Sequence, residues 1–232
     1  MRWILVALFF LAPGCNLATN RQNLDGRRSF EVGQYDRALQ SFHLALNADP
    51  SNADAHYNIG RTLHHMGKAA KNQQHLQQAE NAYRTALNLN PLHQPAHRGL
   101  AVLMSENKRT PEAFSLLQNW SRINPASAEP KIELARLYTE HGDKNTAIQI
   151  LSDALVIDNE NDRALRALGL LREEAGDFRQ AVTDYQRSLQ INPMQPQLAN
   201  RLAQLQLRTG VPSPSVVAPN RVATLPDFPR FQ

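Results

Sequence analysis

A single cysteine, Cys15, leaves this 232-residue chain without a partner for an intramolecular disulfide. Ten glycines and an aromatic content of 6% give little strand signal. There is no glycine-rich phosphate loop and no nucleophile elbow, so no catalytic constellation, small-molecule substrate or cofactor is implied. Charge of one sign is scarce as well: 25 Lys and Arg stand against 21 Asp and Glu, for a net charge of +4. Basic residues interleave with acidic ones, which argues against nucleic acid as a partner. The most apolar run, Ile4 through Ala12, is too short to span a bilayer. What remains is abundant in helix formers, and an all-α chain forming a single elongated domain is expected.

Five alanines, Ala38, Ala79, Ala113, Ala147 and Ala181, recur at intervals of 41, 34, 34 and 34 residues. Similar residue classes return four positions on (Phe42, Tyr83, Leu117, Leu151, Tyr185), seven on (Ala45, Ala86, Trp120, Ala154, Ser188) and twelve on (Pro50, Pro91, Pro125, Asn159, Pro193). Offsets of four and seven share one helix face, so each unit holds a helix with an apolar seam, closed in four units by proline. Turn glycines Gly33, Gly67, Gly142 and Gly176 precede four of the alanines, and a further helical stretch lies upstream of each. Each unit therefore reads as helix, turn, helix.

On these residues the chain resembles the tetratricopeptide-repeat family over residues 19–210. The resemblance implies an α-solenoid, a right-handed superhelix whose first helices line a concave groove. The units are 19–52, 53–93, 94–127, 128–161 and 162–195, with a capping helix at 196–209. Trp120, Asn159 and Lys108 depart from the family's small residue, proline and glycine, and the first helix is polar at Asp25 and Ser29. Seven extra residues in unit two, within Lys68–Gln78, read as a second helix lengthened at its N-terminal end, or as a loop insertion.

Met1-Arg2-Trp3, the apolar run and Ala12-Pro13-Gly14 before Cys15 have the layout of an export signal. Leu11–Cys15 resembles a bacterial lipobox, which implies acylation of Cys15, a lipid anchor and a signal segment over 1–15. Ala12 replaces the leucine preferred three residues before the cysteine, so an ordinary signal peptide and a soluble periplasmic protein remain the alternative. With Asn16 following the cysteine, the lipoprotein resemblance implies the outer membrane, facing the periplasm. Members sharing this layout often assist envelope assemblies, so the expected function is a membrane-anchored adaptor or scaffold for protein–protein interaction.

In this family the residues that touch an extended ligand lie mainly on the first helices. Carried onto this chain, they nominate Arg27, Tyr57, Asn58, Arg61, Arg98, Arg136 and Arg166 as partner-binding. A guanidinium row suits carboxylates, so an acidic peptide or a C-terminal carboxylate is the expected ligand. Glutamates one turn on, Glu31, Glu106, Glu140, Glu173 and Glu174, offer the opposing reading that they neutralise it. Six of eight histidines fall between His56 and His97, and His93 and His97 have i, i+4 spacing. A metal-binding accessory protein is the rival this raises, but no third ligand is nominated and no metal site is expected. Residues 211–232 carry five prolines and are expected to form a disordered tail.

Overall fold

The computed structural model describes residues 14–210, with side chains from Thr19 onward. Residues 1–13 of the expected signal segment, the Cys15 side chain and the expected tail over 211–232 therefore lie outside the described residues. The described residues form eleven helices and no strand: α1 (Gly14–Glu31), α2 (Tyr35–Ala48), α3 (Ala53–Ala70), α4 (Gln73–Leu89), α5 (Gln94–Glu106), α6 (Thr110–Ile123), α7 (Glu129–Glu140), α8 (Lys144–Ile157), α9 (Asp162–Glu174), α10 (Phe178–Ile191) and α11 (Pro196–Thr209). The chain divides into two compact units, one through Asp158 and one from Asn159.

In the first unit α1/α2, α3/α4, α5/α6 and α7/α8 pack as hairpins, successive hairpins dock, and the first helices α1, α3, α5 and α7 adjoin one another in turn. In the second, α9 packs on α10 and α10 on α11. Contacts thus run between neighbours along the chain, the packing of an α-solenoid.

Local chemistry sets the boundaries. Asn52, Asn72 and Asn161 accept backbone N–H bonds at the starts of α3, α4 and α9, while Asp143 and Asp177 do the same for α8 and α10. Each thereby satisfies donors that the helix itself leaves without partners. Gly33, Gly142 and Gly176 turn the hairpins at φ of 77°, 85° and 84°, a region open to glycine at no Cβ cost. Lys108 adopts the same conformation at φ 61°, and there the chain carries strain that glycine would relieve.

Gly67 corrects the turn reading. It lies inside α3, where a Cβ would meet Leu76 at 2.8 Å, and the reversal falls at Lys71 with φ 51°. The extra residues of this hairpin are shared between both helices. α3 has 18 residues where α5 and α9 have 13, and α4 has 17 where α6, α8 and α10 have 14. Neither a surface loop nor an extended second helix alone describes the insertion. Asn72 is the physical reason: its side chain accepts from Gln74 N and His75 N, starting α4 directly after the turn.

Helix crossings follow a size rule. A Cβ on Gly26 would strike the Phe42 ring at 2.4 Å, one on Gly60 the Tyr83 ring at 2.8 Å, and one on Gly169 the Tyr185 ring at 2.6 Å. At the same position the other two units carry buried Ala101 and Ala135, and at the opposing position the smaller Leu117 and Leu151. Glycine faces an aromatic ring and alanine faces leucine, so the summed volume at the crossing stays nearly constant, as close packing requires. Trp120, in a slot expected to be small, is accommodated by lying flat on His97, ring centroids 4.5 Å apart and planes 9° from parallel.

Candidate functional site

Because α1, α3, α5 and α7 adjoin, equivalent positions on them form one face of the first unit. Arg27 on α1 is exposed and has no ion pair among the described residues. On α3, Tyr57 is half-buried between the rings of Tyr83 and His93, and Asn58 is buried. Arg61 does not extend freely: its guanidinium lies 3.9 Å above the Phe30 ring centroid, a cation–π contact linking α3 to α1.

Arg98 on α5 and Arg136 on α7 meet at Glu133. Arg98 Nε donates to Glu133 Oε1 at 2.6 Å and Arg136 Nε to Glu133 Oε2 at 3.1 Å, while Arg136 also pairs with Glu140. The Glu133 side chain is 1% exposed, so this carboxylate is buried with a guanidinium on each oxygen. The arginine row is therefore largely engaged within the protein. Of the five glutamates expected to neutralise it, Glu140 is bonded to Arg136, Glu106 instead bonds His64 and Lys68, and Glu173 bonds Arg201 and Tyr185. Glu133 itself went unnoticed in the sequence. Its signal is a lone acidic residue inside the apolar run Ile132, Leu134, Ala135 and Leu137.

In the second unit Arg166 on α9 occupies the position equivalent to Arg98. It meets the neutral Gln195 side chain, Nη1 to Oε1 at 3.3 Å, and no carboxylate among the described residues. It lines a cavity of about 800 Å³ between α9 and α11, together with Leu170, Met194, Leu198 and Arg201.

The clustered histidines serve the repeat. His56 and His97, at equivalent positions, place Nε2 at 3.1 and 2.9 Å from the carbonyl oxygens of Pro50 and Pro91, the prolines closing the preceding units. Such a contact makes Nε2 the donor, a tautomer assigned from the bonding pattern. Burial pushes His97 below the usual imidazole range, in keeping with a neutral ring. His93 caps α5 through Nδ1, which accepts from Ala96 N at 3.1 Å, while Nε2 reaches Asp54 at 2.9 Å. Both ring nitrogens are thus engaged, and the i, i+4 pair does not converge on a common point. Among the described residues no group of three or more His, Cys, Asp or Glu side chains is placed to hold a metal ion.

A third polar centre joins α3, α4 and α5. His64 Nε2 lies 3.0 Å from Glu106, Lys68 Nζ donates to Glu106 at 2.5 Å, and Tyr83 Oη is 3.5 Å from His64 Nδ1. Burial works to raise the Glu106 carboxyl, but Lys68 and His64 together hold it below its ordinary range. No helix among the described residues is long and apolar enough to cross a membrane.

Stacked antiparallel hairpins, with adjoining first helices in the first unit, define the class: an all-α solenoid of helix-pair repeats. A family model described as the tetratricopeptide repeat protein 21 C-terminal ARM domain matches residues 33–232, and the chain belongs to this family of tetratricopeptide-repeat proteins. The tetratricopeptide repeat-containing protein trd-1 of Caenorhabditis elegans is 27% identical over 164 residues, covering 69% of this chain, and the chain spans about a fifth (20%) of that protein. Among solved structures, TTC0263 of Thermus thermophilus, a thermophilic TPR protein, is similar with a TM-score of 0.63 at 23% identity, covering 82% of this chain and 100% of that one. PilF of Pseudomonas aeruginosa gives a TM-score of 0.57 at 19% identity, covering 83% and 86%. At these identities the likeness is one of fold.

Proposed function

We propose that the protein is a non-catalytic adaptor of the bacterial cell envelope, anchored to a membrane through acylated Cys15 and holding a partner polypeptide on the face formed by α1, α3, α5 and α7. The observation carrying this reading is the adjoining of these first helices. It sets Arg27, Tyr57 and Asn58 on one face, with Arg61 and the Arg98–Glu133–Arg136 network held in place beside them. Engagement of those arginines narrows the acidic-ligand reading. Arg98 and Arg136 then act as rigid hydrogen-bonding edges, and Arg27 is the cation open to a partner's carboxylate.

The apolar leader and the small residues before Cys15 support export with lipidation, and Asn16 supports outer-membrane placement facing the periplasm. Two measurements test the reading. Affinity capture from envelope extract, with partners identified by mass spectrometry, should yield a partner that is lost from Arg27→Glu/Arg61→Glu while the helical signal is retained. Retention by both proteins would move the binding surface elsewhere. Cys15→Ala should shift the protein from the membrane to the soluble fraction, and unchanged partitioning would remove the lipid anchor.

A further inference from the structure

Arg98 and Arg166 are equivalent residues with opposite neighbours. The residue 35 positions after Arg98 is Glu133, which neutralises it; the residue 35 positions after Arg166 is Arg201. Where the first unit supplies a carboxylate, the second supplies another guanidinium. Arg201 is paired with Glu173 through Nε at 2.7 Å, whereas Arg166 has only the Gln195 amide. Both line the cavity between α9 and α11, beside half-buried Leu170 and Met194, which is 89% exposed. Apolar walls next to an unneutralised guanidinium call for an apolar segment carrying one carboxylate.

We propose that this cavity is the docking site for the chain's own segment Leu225–Phe228, with Asp227 bonded to Arg166 and the side chains of Leu225 and Phe228 against Leu170, Leu198 and Met194. Asp227 is the sole acidic residue in 211–232, and it stands between those two large apolar residues. Reach is ample. The segment follows Gly210, whose φ of 63° ends α11, itself a wall of the cavity. The stretch from Gly210 to Asp227 extends to about 56 Å at ~3.3 Å per residue. Helix α11, of 14 residues, is about 21 Å long at 1.5 Å per residue, so the chain can return along its whole length. This inference is independent of the adaptor reading, because it concerns the purified protein with no partner present.

Amide hydrogen exchange on the full chain, read by mass spectrometry over 220–232, tests it. Amides of Leu225, Asp227 and Phe228 should exchange roughly tenfold more slowly in the wild type than in Arg166→Asp, Asp227→Lys or Phe228→Ser. The charge-swapped pair Arg166→Asp/Asp227→Lys should recover the protection. Exchange in α9 and α11 reports whether each variant keeps the second unit folded, and the two tail substitutions carry the test if Arg166→Asp does not. Equally fast exchange in every protein overturns the proposal and leaves the cavity to an acidic segment of another protein. Protection that survives Arg166→Asp overturns it too, by placing the segment elsewhere.

Discussion

The two units share one hairpin design and differ in how they settle charge. In the first, Glu133 is buried between Arg98 and Arg136, so the Arg98 guanidinium ties α5 to α7 while Arg136 braces the same carboxylate from within α7. In the second, Arg201 stands at the matching position, and Arg166 is left facing a cavity. The lesson is that a recurring arginine has no fixed role in a helical repeat. Its neighbour one repeat later decides between structural tie and open binding group.

The largest expected effect lies at that difference. Glu133→Ala removes the shared acceptor of two arginines and should cost about 3 kcal/mol in urea unfolding. Arg201→Ala should cost no more than about 1 kcal/mol, because its pairing with Glu173 is half-exposed and Tyr185 Oη still donates to that carboxylate at 2.8 Å. Equal losses would break the comparison. At the helix crossings the units should instead behave alike. Gly60→Ala and Gly169→Ala each push a Cβ into a tyrosine ring and should each cost about 1–3 kcal/mol by thermal melting.

Acid titration separates one buried carboxylate of each unit, Glu80 and Asp184, by sign. Hydrogen bonds from Arg109 hold the Glu80 carboxyl below its ordinary value, against the effect of its burial and with help from Arg84. Its stabilising contribution is therefore full above about pH 4.5 and is lost as pH falls through the lower, folded value. Burial raises the Asp184 carboxyl despite the Arg172 bond, so its contribution is present at low pH and is lost as pH rises through the raised value. Stability measured from pH 3 to 6 should lose part of its acid sensitivity in Glu80→Gln, whereas Asp184→Asn should change the profile in the opposite sense. A smaller effect is expected at the turns. Lys108→Gly should gain up to about 1 kcal/mol, and Gly176→Ala, in the same conformation, should lose about as much.

The all-α solenoid was legible because Ala38, Ala79, Ala113, Ala147 and Ala181 repeat with their partners at four and seven, and such offsets admit only a helix with one apolar face. Gly67 misled because a glycine just before an expected helix reads as a turn, while packing against Leu76 keeps it inside α3. The cap that did start α4, Asn72, was visible as a residue but had no apolar periodicity to single it out. The site was less legible for a different reason. Arg98 and Glu133 belong to separate repeats, and their pairing depends on how α5 packs on α7, which no pattern within one repeat encodes.

The exchange of size between Gly60 with Tyr83 and Ala101 with Leu117 bears on how such a chain can change over generations. Altering one member alone gives either a clash or a void, so each single step is deleterious in either order. A drifting duplicate of one repeat must cross that valley or change both positions together. The two versions of the crossing are therefore separate heritable states, and repeats spliced between them would need to travel as intact helix pairs.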